Sequence, residues 1–165
     1  MVDAGSRSMS NRFLTRRRIG LAAAAVVVAG GARAQPTADD PAQLVAVMER
    51  YAAALRTNNV EGLVALYAPD GVFIRENLPP VQGTEALRAA YRQVFATLKL
   101  DVGFQIAETE VAGDMAWLRT VSSGRIRTLA TGAEQRESFN ELVVFRRIAG
   151  TWKIRAYLYA SSKPG

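Results

Sequence analysis

The chain of 165 residues contains no cysteine and no histidine. The missing cysteines exclude disulfides and thiol nucleophiles. Together the two absences remove the usual zinc ligand sets and every catalytic triad that relies on an imidazole. They also remove the side chain that most readily exchanges a proton near pH 7. Acid–base chemistry is left to carboxylate, tyrosine, lysine or water, with arginine as a fixed charge. A cysteine-free chain is also at ease in an oxidising compartment. No G-x-G-x-x-G or G-x-x-x-x-G-K string and no cluster of metal-ligating residues occurs, so neither a cofactor nor a metal is expected. Internal repeats and low-complexity tails are absent too.

The formal net charge is +6, which on its face suits a nucleic-acid partner. Its distribution argues otherwise. Residues 1–34 hold six arginines (Arg7, Arg12, Arg16, Arg17, Arg18, Arg33) against one acid, Asp3, and the remainder has 15 basic and 14 acidic residues. A nucleic-acid site needs a concentrated basic face. The later chain offers only short basic pairs such as Arg146-Arg147, so nucleic acid is not an expected partner.

The basic segment Thr15 to Arg18 precedes an uncharged apolar run of 14 residues, Ile19 to Ala32, and then Ala32-Arg33-Ala34, an A-x-A cleavage pattern. This is the layout of an export signal. The run is short of the roughly 20 residues that span a bilayer, so no membrane insertion is expected after cleavage. Its mild, alanine-rich character and the arginines after Thr15 resemble a twin-arginine signal, with a general secretory signal as the alternative. The expectation is a signal peptide over 1–34 and a mature domain over 35–165, periplasmic or secreted.

In the mature part, Asp40-Pro41 reads as a helix start, with aspartate as N-cap and proline at the first helical position. Leu44, Val47, Met48, Tyr51 and Leu55 then follow at helical spacing. Asn58-Asn59 breaks and recaps the chain for a short second helix carrying Val60, Leu63, Leu66 and Tyr67 and stopping at Pro69. Val72 to Glu76 reads as a short strand. Thr84 is predicted to cap a third helix that buries Leu87, Tyr91, Val94, Phe95 and Leu98. After Lys99 the period shortens to about 2, and four strands are predicted over Leu100–Val111, Met115–Leu129, Gln135–Ile148 and Thr151–Ser161. The fold class is α+β, in the order α-α-β-α-β-β-β-β: three N-terminal helices packed on a curved antiparallel sheet. A long antiparallel sheet must twist, and covering one face with helices leaves a cone-shaped interior.

That order, with Met48-Glu49-Arg50-Tyr51, Leu66-Tyr67-Ala68-Pro69-Asp70-Gly71, Pro79-Pro80-Val81-Gln82-Gly83, Ala90-Tyr91-Arg92-Gln93 and Gly150-Thr151-Trp152-Lys153-Ile154, resembles the SnoaL-like and ketosteroid-isomerase-like branch of the nuclear transport factor 2 superfamily. The resemblance covers about Asp40 to Ser161. It implies a pocket inside the cone and a surface for homodimerisation on the sheet face. Ketosteroid isomerases use an aspartate base on the first strand and an oxyanion site built from a helix tyrosine and a late-strand protonated aspartate. Matched residue by residue, the resemblance places the oxyanion tyrosine at Tyr51 and its supports at Tyr67 and Tyr91. The base position falls on Arg75, which stays protonated. The late acid falls near Asn140 to Leu142, where Glu141 reads as out of register.

The candidate catalytic residues are therefore Tyr51, Arg75 and Glu76. Arg75 and Glu76 are neighbours on a strand and should face opposite ways unless a bulge or the strand end intervenes. Candidate ligand-binding residues are Tyr67, Phe73, Tyr91, Trp117, Asn140, Leu142 and Leu158. Two functions fit. One is a non-catalytic module holding an apolar or ring-shaped small molecule, favoured by the loss of the base. The other is an isomerase- or lyase-type enzyme acting on a carbonyl compound, with Tyr51 as oxyanion donor.

Overall fold

The computed structural model describes residues 37–162. The export signal expected over 1–34 lies outside the described residues. Nine elements follow one another: α1 (Asp40–Arg56), α2 (Val60–Val64), β1 (Tyr67–Ile74), β2 (Val81–Gln82), α3 (Thr84–Thr97), β3 (Leu98–Ala112), β4 (Met115–Thr128), β5 (Glu134–Ile148) and β6 (Thr151–Ser161). The six strands form one sheet in the order β2-β1-β6-β5-β4-β3. The predicted α+β architecture stands, and the four C-terminal strands form the expected antiparallel meander. One pairing departs from it: β1 runs parallel to β6. A two-residue β2, absent from the sequence reading, pairs antiparallel with β1.

Local chemistry accounts for most boundaries. Helix α1 buries Leu44, Val47, Met48, Tyr51 and Leu55, and α3 buries Leu87, Tyr91 and Phe95. Each helix thus turns one apolar stripe to the sheet. Asn58 takes a positive φ of 53°, and Asn59 caps α2 by accepting a hydrogen bond from the Gly62 amide at 2.8 Å. The second helix is shorter than expected. It ends at Val64, and Tyr67 to Pro69 already belong to β1. Proline cannot donate to a ladder, and Pro69 lies where the β1–β6 register shifts, the kind of site where a strand tolerates it. Strand β1 ends at Ile74, so Arg75 and Glu76 stand in the turn beyond it, where the Leu78 amide donates to the Arg75 carbonyl at 3.2 Å.

Neither predicted cap forms as expected. Thr84 is the first residue of α3, behind Gly83 at a φ of 86°, and no side chain caps that helix. Asp40 is fully buried and is the first residue of α1. Its carboxylate accepts from Arg147 Nη2 at 2.7 Å, Trp152 Nε1 at 3.1 Å and the Thr37 amide at 2.7 Å. Arg147 also lies over the Trp152 ring at 4.3 Å. An aspartate that reads locally as a helix cap is instead the buried clamp between α1 and the β5–β6 hairpin.

Strands β3 and β4 approach closely. At Gly124 a Cβ would stand 2.0 Å from the Asp101 carbonyl oxygen, so only glycine allows β3 and β4 to meet as they do. The β5–β6 turn places Ala149 and Gly150 both at positive φ, 48° and 78°, the requirement of a tight primed hairpin. The concave face packs against the helices around Leu118, Val143, Phe145 and Ile154, all buried. The convex face leaves Met115, Leu142 and Leu158 exposed. Among the described residues no helix is long and apolar enough to cross a membrane.

Candidate functional site

Toward one end of the cone the helices and sheet diverge and leave a cavity of about 400 Å³. Its walls come from α1 (Tyr51, Leu55), β1 (Phe73), α3 (Tyr91, Val94) and the inward rows of β3 to β6. Strand alternation explains the selection. On β5, Gln135, Glu137, Phe139 and Glu141 share the inner face with Val143 and Phe145, which are buried deeper in the core. The β5–β6 pairing shifts between Val144 and Phe145, so Ile154 and Tyr157 on β6 both point inward although they are three positions apart, which strict alternation would forbid.

The cavity is aromatic. Tyr51 stacks on Tyr157 with ring centroids 4.9 Å apart, and Phe73 stacks on Tyr91 at 5.1 Å. Three hydroxyls form a buried chain: Tyr67 to Tyr91 at 2.7 Å and Tyr91 to Tyr51 at 2.7 Å. Burial raises the pKa of Tyr51, Tyr67 and Tyr91 well above the ordinary tyrosine value, so all three are neutral donors. When the chain runs from Tyr67 through Tyr91 to Tyr51, the Tyr51 proton is the one left over for the cavity. Tyr67 is the end of this chain remote from the cavity and does not line the space.

Glu141 is the second polar feature. It is 6% exposed and lines the cavity. Its Oε1 accepts from Ser122 Oγ at 2.6 Å, whereas Oε2 is buried and has no hydrogen-bond partner. Removal from water lifts its pKa from 4.5 to about 7, against the opposing pull of the Ser122 and Tyr157 hydroxyls. The Tyr157 hydroxyl stands near enough to act electrostatically without meeting hydrogen-bond geometry. Against the expectation that Glu141 is out of register, it faces inward. The signal was present in Val143 and Phe145, which alternate with Glu141. It was blurred because Leu142 and Val144 make the other face of β5 apolar as well.

The remaining candidates divide by sheet face. Tyr51, Phe73 and Tyr91 line the cavity, and so does Glu76, which the strand end releases from the alternation of β1. The Glu76 carboxylate accepts from the Ser161 amide and Oγ, both at 3.0 Å. Arg75 does not line the cavity. Its guanidinium lies 5.8 Å from the Phe73 ring centroid, and its Nε is buried without a hydrogen bond. Trp117, Asn140, Leu142 and Leu158 alternate with the inward residues Leu118, Glu141 and Tyr157 and so face the opposite side of the sheet. Trp117 and Leu142 line a shallow apolar groove there, together with Met115 and Val144. Ser122, Phe104 and Tyr157, none of them among the candidate site residues, complete the inner wall, and Tyr159 lines it on the same face as Tyr157.

A cone of three helices on a curled sheet, enclosing an aromatic cavity with a tyrosine chain and a buried carboxyl, defines a small-molecule-binding or isomerase-like domain. Residues 48–155 match the SnoaL-like domain family, and the chain belongs to that family, within the nuclear transport factor 2 superfamily. Solved structures agree. A ketosteroid isomerase-like protein from Erwinia carotovora atroseptica superposes with a TM-score of 0.73 at 26% identity, covering 78% of this chain and 100% of that one. A conserved protein from Planctomyces limnophilus gives 0.67 at 23% identity, covering 74% and 98%. An NTF2-like protein with a cystatin-like fold from Novosphingobium aromaticivorans gives 0.63 at 19%, covering 77% and 84%. The last two speak to the fold alone.

Proposed function

We propose that this domain binds an apolar, ring-shaped small molecule inside the cone, with Tyr51 and Glu141 at the polar end of the cavity. The observation that carries the reading is the buried, half-satisfied Glu141 in a wall that is otherwise largely aromatic and aliphatic. A buried polar atom without a partner is costly, and a ligand group is the natural means of satisfying it. The cavity of about 400 Å³ lies within the range of small-molecule sites. Titration with 2-acetonaphthone, followed by backbone amide NMR shifts, tests this. Shifts should concentrate on the residues around Tyr51, Phe104 and Glu141. Leu100→Trp, which fills the cavity from β3, should weaken binding at least about tenfold, since it removes the space the ring needs. Shifts confined to the convex face, or undiminished in Leu100→Trp, would end the proposal.

A second reading, isomerase-type proton transfer on a carbonyl compound, is favoured by one feature: Glu141 titrates at about 7, where a general acid or base is most useful. In that reading Tyr51 polarises the carbonyl oxygen, and Tyr51→Phe should slow turnover by roughly 100-fold or more. We also propose that residues 1–34 direct export and are removed. The basic, apolar and small-residue order of the segment supports this, and intact mass of the exported protein would show Gln35 as its first residue.

A further inference from the structure

The charged side chains that line the cavity are all of one sign. Among the described residues, three glutamates line it (Glu76, Glu137 and Glu141) and no lysine or arginine does. Glu76 is engaged by Ser161 at the exposed rim, and Glu137 on β5 is half-buried. Glu141 differs from both: it is buried, accepts one hydrogen bond from a neutral hydroxyl, and leaves Oε2 bare. Buried carboxylates in proteins are ordinarily paired with a cation. The nearby wall supplies none: Tyr51 from α1, Ser122 from β4 and Tyr157 from β6 are all uncharged. Arg75, which lies against Phe73, forms no ion pair with Glu141.

We infer that the ligand of this cavity carries a protonated amine that pairs with Glu141. This rests on the reading of the cone as a small-molecule site and adds the charge of the occupant. Two kinds of group in the wall suit an ammonium. The bare carboxylate oxygen accepts a charge-assisted hydrogen bond. Seven of the lining side chains are aromatic, and ring faces attract cations most strongly when water is excluded. An anionic ligand would meet three lining glutamates and no lining cation. When the ammonium enters, Glu141 gives up whatever proton it holds to solvent, so the pair forms as carboxylate and ammonium with charge conserved.

Three probes with one apolar body isolate the head group: 2-(2-naphthyl)ethylamine, 2-(2-naphthyl)ethanol and 2-naphthylacetate, titrated calorimetrically at pH 8. The amine is expected to bind at least about tenfold tighter than the alcohol, the value of one buried charge-assisted hydrogen bond, and the acetate weakest. Glu141→Gln should bring the amine to the level of the alcohol, whereas Glu137→Gln should not. A second measurement does not depend on any variant. At pH 7, in two buffers of different ionisation enthalpy, amine binding should release about half a proton and alcohol binding none, given that Glu141 titrates at about 7. Equal affinity of amine and alcohol, a preference that survives in Glu141→Gln, or binding without proton release each overturns the amine assignment while leaving the cavity a binding site. Tightest binding by the acetate, lost in Arg75→Gln, overturns it in favour of an anion site on Arg75. Failure of all three probes to bind overturns both the assignment and the binding proposal.

Discussion

Replacing Glu141 by glutamine makes the electrostatics of the cone measurable without any ligand. The substitution keeps the shape of the side chain and an oxygen for the Ser122 hydroxyl. It removes the ability to ionise. In the folded protein the Glu141 pKa stands at about 7, against an ordinary value of 4.5. At 1.36 kcal/mol per pH unit that difference is worth about 3 kcal/mol. The sign follows from proton linkage. Between 4.5 and 7 the unfolded chain has released the proton and the folded one still holds it, so stability falls as pH rises through this window. Below 4.5 both states are protonated, and the contribution to stability is fully present. Above about 7 the folded protein carries a buried carboxylate, and the loss is complete. Urea unfolding of both proteins at pH 4.5 and pH 8 gives the test. The stability of Glu141→Gln relative to the parent should rise by about 3 kcal/mol from the lower to the higher pH, other carboxylates cancelling in the difference. A relative stability that does not move with pH would refute the reasoning, as would a side-chain carboxyl carbon resonance for Glu141 that titrates near 4.5.

Other perturbations probe the scaffold. Asp40→Asn breaks a fully buried pairing with Arg147 and should cost about 3–5 kcal/mol in chemical denaturation. Arg147 holds the Asp40 carboxyl well below its ordinary value of 3.8. That contribution is present above the unfolded value and is lost as pH falls through the folded one, so the parent should lose stability on acidification that the variant does not. Tyr91→Phe removes the hydroxyl shared by Tyr51 and Tyr67 and should destabilise by about 1–3 kcal/mol, read as a lower Tm. Ala149→Asn, at a φ of 48° before Gly150, should raise stability by about 0.5–1 kcal/mol, because asparagine tolerates the left-handed backbone better than alanine. An unchanged or lower midpoint would count against the assigned turn geometry.

How much of the site was legible is best judged on β5 and β1. The inward set of β5 is spaced at two, but its outward residues Leu142 and Val144 are apolar as well, so periodicity alone could not say which face carried Glu141. The deciding fact is the pairing of Glu141 with Thr120 on β4 and Tyr159 on β6, a contact across strands. Arg75 and Glu76 posed the same difficulty in another form. Alternation allowed one of them inside, and the outcome depended on β1 ending at Ile74, which frees Glu76 to reach Ser161. The same local ambiguity applies to Trp117, Asn140, Leu142 and Leu158, expected to bind the ligand but placed on the face away from the cavity.

The helices, the four long strands, the family resemblance and the loss of imidazole and thiol chemistry are all legible along the chain, because periodicity, turn residues and composition are properties of short stretches. Three features emerge only in the folded chain: Asp40 as a buried clamp, β1 parallel to β6, and Glu141 half-satisfied in an aromatic cavity. Each of those depends on which distant groups meet and how much water they exclude. Burial and pairing, unlike periodicity, are set by the whole fold and are not encoded in any one segment.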